Sequence, residues 1–164
     1  MKTAGMNRSL WLALFALLAA VVGAAVYKLQ PLLNPQPVLL AQPDPWCDLR
    51  SGSCSARFPD GGMLTFEVEP KGIPVLTPLT LRVSVDGIET DAVEVDFAGV
   101  DMNMGYNRAA LSPVGPGSYQ GNGMLPICVR NRMSWEARVL LHGPRGLLAA
   151  PFRFETSRKA PGAP

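Results

Sequence analysis

At 164 residues, with a net charge of +2 and 48% apolar content, the chain has room for one domain with appendages and not for two full domains. Its basic excess lies in the two tails, while acids and bases nearly cancel and intersperse between Trp46 and Arg158. That balance leaves no electrostatic footprint for phosphate backbones, so nucleic acid is excluded as an expected partner.

The first element is apolar. From Leu10 to Tyr27 the sequence LWLALFALLAAVVGAAVY carries no charge, and as a helix it reaches about 27 Å, close to the hydrocarbon thickness of a bilayer. Lys2 and Arg8 precede it with no acidic residue between them, which predicts a cytoplasmic N-terminus and an exported C-terminal part. Two readings follow. A cleaved signal peptide is supported by the basic start and by the small residues Gly23, Ala24 and Ala25. A permanent anchor is supported by the length of the run and by Tyr27 and Lys28 in the position of interfacial anchors. Both place the rest of the chain outside the cytosol, and the anchor reading predicts an inner (cytoplasmic) membrane protein, single-pass, with its domain on the periplasmic side.

Next, Pro31, Pro35, Pro37, Pro43 and Pro45 punctuate a stretch in which helix and sheet ladders are disfavoured, which predicts a semi-rigid spacer. Within it Leu39, Leu40 and Ala41 are apolar and are candidates to pack on the domain or on a partner. The expected layout is a cytoplasmic N-terminus at 1–9, an anchor or signal segment at 10–28, a Pro-rich spacer at 29–45, an extracytoplasmic β domain at 46–158 and a disordered tail at 159–164.

The domain reads as strands. Leu79, Leu81, Val83 and Val85 alternate with polar residues, as do Val93, Val95 and Phe97, and Trp135, Ala137, Val139 and Leu141. This period of two marks strands with one buried and one wet face. Weaker runs occur at 63–68, 118–125 and 147–154, separated by turn signals at Asp60-Gly61-Gly62, Asp86-Gly87, Pro113 to Gly117 and Gly143 to Gly146. About seven short strands predict an all-β fold, an immunoglobulin-like β-sandwich with a small barrel as the alternative.

Three cysteines, Cys47, Cys54 and Cys128, lie in the exported part. In an oxidising compartment one pair is expected to close. Cys47 and Cys54 can bridge if the short loop between them folds as a hairpin; alternatively Cys128 pairs with one of them. The run Asp101-Met102-Asn103-Met104-Gly105-Tyr106-Asn107-Arg108 holds two methionines two positions apart, and Cys128 and Met133 bracket another short turn. Thioethers and thiolates are soft donors that select copper(I), so Met102, Met104, Cys128 and Met133 form a candidate soft-metal site. Methionine at such spacing also serves as core or rim filler. His142 is the single histidine and precedes Gly143-Pro144, where an exposed turn residue is expected, so a histidine-built copper site is not expected.

The run Val93 to Gly105, VEVDFAGVDMNMG, resembles the central motif of YtkA-like and FixH-like exported domains, where a strand leads into a methionine-bearing loop. Gly117-Ser118-Tyr119-Gln120-Gly121 is similar to the group's "G-x-Y" strand, and Met133-Ser134-Trp135 to the opening of its last long strand. The landmarks span Leu79 to Leu141. The resemblance implies a membrane-anchored immunoglobulin-like domain associated with copper handling and with assembly of haem–copper respiratory oxidases, and it implies Met102 and Met104 as ligand positions. The loop here lacks the histidine that related loops often carry. The cysteines, not general features of the group, stand either as compensating ligands or as a disulfide and a spare thiol.

No nucleophile accompanies His142, the acids are scattered along wet strand positions, and no phosphate-binding glycine motif occurs. The expected function is therefore non-enzymatic, and the resemblance implies a tethered accessory protein that binds copper(I) and assists a membrane protein complex such as a haem–copper oxidase or its assembly factors. A metal-free scaffold is the alternative.

Overall fold

The computed structural model describes residues 8–33, 37–102, 104–126 and 131–157. The chain falls into two units, Met1–Gln36 and Pro37–Pro164.

The first unit is the helix α1, Arg8–Leu33. Within it Leu10–Leu29 has a mean hydropathy of 2.4 and no part of it is buried by the protein. Leu12 and Leu17 are 70% and 65% exposed. A helix apolar on every side, with no protein to cover it, is long enough to cross a bilayer, and a signal sequence has the same properties. The helix continues through Pro31, which near a C-terminus forfeits only one backbone hydrogen bond, so α1 takes in residues 29–33 of the expected spacer.

Among the described residues the regular elements of the second unit are all strands: β1 Leu39–Leu40, β2 Gln42–Pro43, β3 Cys54–Arg57, β4 Met63–Glu69, β5 Leu79–Asp86, β6 Ala92–Gly99, β7 Arg108–Gly115, β8 Ser118–Gly123, β9 Arg132–Gly143 and β10 Gly146–Ser157. The all-β expectation with one N-terminal apolar helix holds. The count does not: among the described residues ten strands form one sheet in the order β1-β10-β9-β6-β7-β8-β5-β4-β3-β2. The predicted alternations are the inward faces of β5, β6 and β9, where Leu79, Leu81, Val83, Val93, Val95, Phe97, Trp135, Ala137, Val139 and Leu141 are all buried.

Two kinked segments nearly close this sheet on itself. β1 and β2, the two ends of the order, are separated in the chain by Ala41 alone. β1 pairs in parallel with Leu148 and Ala149 of β10, and β2 pairs antiparallel with Ala56 and Arg57 of β3. The Ala41 amide donates to the Ala149 carbonyl at 2.8 Å, and that of Asp44 to the Ser55 carbonyl at 3.0 Å. At the other corner β7 changes partners midway: residues 108–111 pair with β6, and beyond them Ser112, Pro113 and Gly115 pair with β8 across an irregularity between Pro113 and Gly115. Residues 37–45 thus belong to the domain, and Pro43 is tolerated because it lies in an edge strand.

One core fills the interior. The Phe66 ring of β4 lies 5.6 Å from that of Phe152 on β10, which ties the two ends of the sheet order together. Fully buried Trp135 donates its indole N–H to Thr156 Oγ1 at 2.9 Å, so its one polar atom is satisfied.

The register defines two poles. At the entry pole, Val38 donates its N–H to the Leu147 carbonyl at 2.7 Å, beside the β9–β10 turn. The other pole gathers segments 44–53, 70–78, 100–102, 104–107 and 124–126, with the start of β9. The twelve residues of β9 separate the poles by about 40 Å.

Candidate metal centre

The candidate loop leaves β6 at Gly99, at the far pole. Its first residue is tied down, because the Val100 N–H donates to the Ser134 carbonyl of β9 at 3.0 Å. Its return is also fixed: the Phe97 N–H donates to the Asn107 carbonyl at 2.9 Å, and the Asn107 side-chain amide donates to the Met124 carbonyl at 3.1 Å. Gly105, at φ 77°, occupies the left-handed conformation that lets the chain reverse. A strand end and a return strand therefore position the two methionines.

Met102 and Met104 are half-buried and pack against the core, while Met133, facing inward from β9, is 4% exposed. The side chains of Met104 and Met133 meet at Gly99, beside the backbone of Met102. A methyl group built on Gly99 would lie 2.5 Å from Met133 Cε and 3.0 Å from Met104 Cγ, and would collide with the Met102 carbonyl oxygen. Only a residue without Cβ admits them together. The concavity left there is open to solvent and is lined by Ala98, Gly99, Val100, Asp101, Met102, Met104 and Gly105. Of the four expected donors, the structure places the Met104 and Met133 side chains together at Gly99, beside the backbone carbonyl of Met102; the fourth, Cys128, lies outside the described residues, as does Asn103 between the two methionines. The sequence reading did not single out Gly99, although a glycine ending a strand directly before the loop was the available signal.

Cys47 and Cys54 form a disulfide, with Cα atoms 5.6 Å apart, so of the two pairings left open the short loop is the one found. Cys128 is the one cysteine outside that bridge. A bridge of this kind suggests an oxidising, extracytoplasmic compartment.

His142 departs from expectation. It is the second-last residue of β9 and pairs with Ala92 and Leu147, so it sits in a ladder near the entry pole and not in an exposed turn. Its Nε2 lies 3.0 Å from Glu94 Oε2, which also takes a 3.4 Å bond from Arg108 Nη1. It is removed from the methionines by most of the length of β6.

The chemistry available at Gly99 is that of thioether sulfur. Among the described residues no group of three histidine, cysteine or carboxylate side chains could hold a metal ion. A site here would use methionine thioethers, a donor type for a soft monovalent ion and not for zinc or calcium.

No protein-family model matches the chain, and no curated protein matches it. Among solved structures, a DUF4785 family protein from Legionella pneumophila is similar at 15% identity with a TM-score of 0.37, over 58% of this chain and 28% of its own. The chain therefore spans little more than a quarter of that protein's length.

Proposed function

We propose that this chain is a membrane-tethered extracytoplasmic accessory protein that binds copper(I) through Met102, Met104 and Met133, with Cys128 as a further donor, and hands it to a membrane protein complex. The reading rests on one observation: the packing of Met104 and Met133 against the bare Cα of Gly99, beside the Met102 carbonyl. Thioether donors hold copper(I) by soft–soft bonding without a proton to lose, so a site of two or three such groups at a surface exchanges metal by stepwise ligand replacement. The apolar α1, the disulfide and the resemblance to YtkA-like and FixH-like domains support an inner-membrane location with the domain in the periplasm, and a haem–copper oxidase or its assembly factors as recipient. The bends at Ala41 and at Pro113 divide the strands into two sets sharing one core, which supports the immunoglobulin-like sandwich as the finer reading of the fold.

The test is anaerobic copper(I) titration of the full-length protein in detergent against a competing chelator. Wild type is expected to bind at micromolar or tighter concentrations, and a Met102→Leu/Met104→Leu/Met133→Leu variant to bind about tenfold or more weakly, a loss of ~1.4 kcal/mol. Leucine keeps the packing volume and removes the sulfur. Equal affinity in the two proteins sinks the proposal.

A second reading has its own observation. Leu76, Val100, Tyr106 and Met124 are 57%, 44%, 81% and 47% exposed, and all four lie on the loops of the same pole. A rim of this kind suits a metal-free scaffold with adaptable contacts. Recovery of a membrane complex with the triple-leucine variant, undiminished and metal-free, favours that reading.

A further inference from the structure

The disulfide lines an open groove. Pro45, Cys47 and Cys54 line it together with Pro151, Phe152 and Arg153, which belong to the part of β10 beyond its pairing with β1. The two sulfurs are not equivalent. Cys54 is 1% exposed in the core, whereas Cys47 is half-buried on the loop that borders the groove. Beside it stands Trp46, 93% exposed. Tryptophan is enriched among the residues that anchor protein interfaces, and this one stands between Pro45 and Cys47, which both line the groove.

Contacts other than the bridge also hold the loop. Leu49 is 1% exposed within the core. The Gly72 N–H donates to the Arg50 carbonyl at 2.8 Å, the Arg50 guanidinium donates to the Glu155 carbonyl at 3.4 Å, and the Asp48 carboxylate accepts from Arg50 Nη2 at 3.1 Å. None of these contacts runs through the S–S bond, so they can keep both sulfurs near one another when it opens.

We infer that the Cys47–Cys54 bridge is a reversible thiol–disulfide exchange site for a dithiol protein that docks in this groove, with Cys47 Sγ as the sulfur attacked. A thiolate of the partner attacks Cys47 Sγ, the Cys47–Cys54 bond breaks, and Cys54 leaves as a thiolate that takes a proton from water. The partner's second thiolate then attacks the partner sulfur of the mixed disulfide. That step closes the partner's own disulfide and releases Cys47 as a thiolate. Two electrons pass from the partner to the bridge, and an oxidised partner drives the reverse.

The test uses full-length Cys128→Ser protein in detergent. The probe is a thioredoxin whose resolving cysteine is replaced by serine, so that the mixed disulfide accumulates. The expected result is an adduct mapped by mass spectrometry to Cys47, formed without denaturant, and formed at least several-fold more slowly in Trp46→Ala. With intact thioredoxin the bridge opens while the far-ultraviolet circular dichroism is unchanged. An adduct at Cys54, an adduct that requires denaturant, or equal rates with and without Trp46 overturns the inference.

Discussion

Gly99 is the residue on which the candidate site turns, and its constraint is space rather than backbone conformation. Of the atoms an added methyl would meet, Met133 Cε and Met104 Cγ belong to flexible side chains, but the Met102 carbonyl belongs to the backbone of a loop pinned at Val100 and Asn107. Gly99→Ala is therefore expected to push the loop outward, lowering stability by about 1–3 kcal/mol as overpacking does and weakening copper(I) binding with it. Gly115, whose added methyl would meet only Ser118 Cβ at 3.9 Å, is the control: Gly115→Ala should leave the urea midpoint nearly unchanged. Glu136 carries a different prediction. Burial raises its pKa, but hydrogen bonds from Arg138 Nε at 2.7 Å and Arg153 Nε at 2.9 Å outweigh that and hold it below the ordinary 4.5. Because the folded state favours the ionised form, this contribution is complete above pH 4.5 and fades as acid titrates the carboxylate. Glu136→Gln should lose about 1 kcal/mol at pH 7, and the gap to wild type should narrow in urea titrations carried below pH 4.5.

At the scale of elements, strands that bury one face were legible and strands that turn corners were not. β5, β6 and β9 carry bulky apolar residues at every second position, and that alternation is their burial pattern. In β7 only Leu111 is buried, and Pro113 reads as a turn residue because the strand bends there to change partners. β1 and β2 have two residues each, too short for any period, and they sit among prolines that signal a linker. Nothing local in PVLLAQP says that its partners are Leu148 and Ala149, more than a hundred residues onward. The candidate site shows the same division. Sulfur chemistry alone names the candidate donors, and the short loop between Cys47 and Cys54 is one of the two kinds of pairing that the sequence leaves open. The meeting of Met104 and Met133 depends on the pairing of β6 with β9, which no spacing in the sequence encodes.

At the scale of the whole molecule, the domain boundary follows from how the sheet order ends. A boundary at Trp46, which the proline content suggests, removes β1 and β2. The cut deletes the donors of three backbone hydrogen bonds, from Val38 to Leu147, Ala41 to Ala149 and Asp44 to Ser55, and it takes Ala41, 4% exposed, out of the core. At about 1 kcal/mol for each bond, with the lost apolar burial added, the loss is about 3 kcal/mol or more. It also bares the edges of β3 and β10, and unpaired edges template aggregation. A fragment beginning at Pro37, exported to an oxidising compartment, keeps all of these contacts. It is expected to be monomeric, to contain the Cys47–Cys54 bridge and to unfold cooperatively in urea, whereas the fragment from Trp46 is expected to unfold at lower urea or to aggregate. The comparison is size-exclusion chromatography with urea titration of the two fragments. Equal midpoints and equal monomer yields would mean that residues 37–45 are a spacer after all, adding nothing to the closure of the sheet.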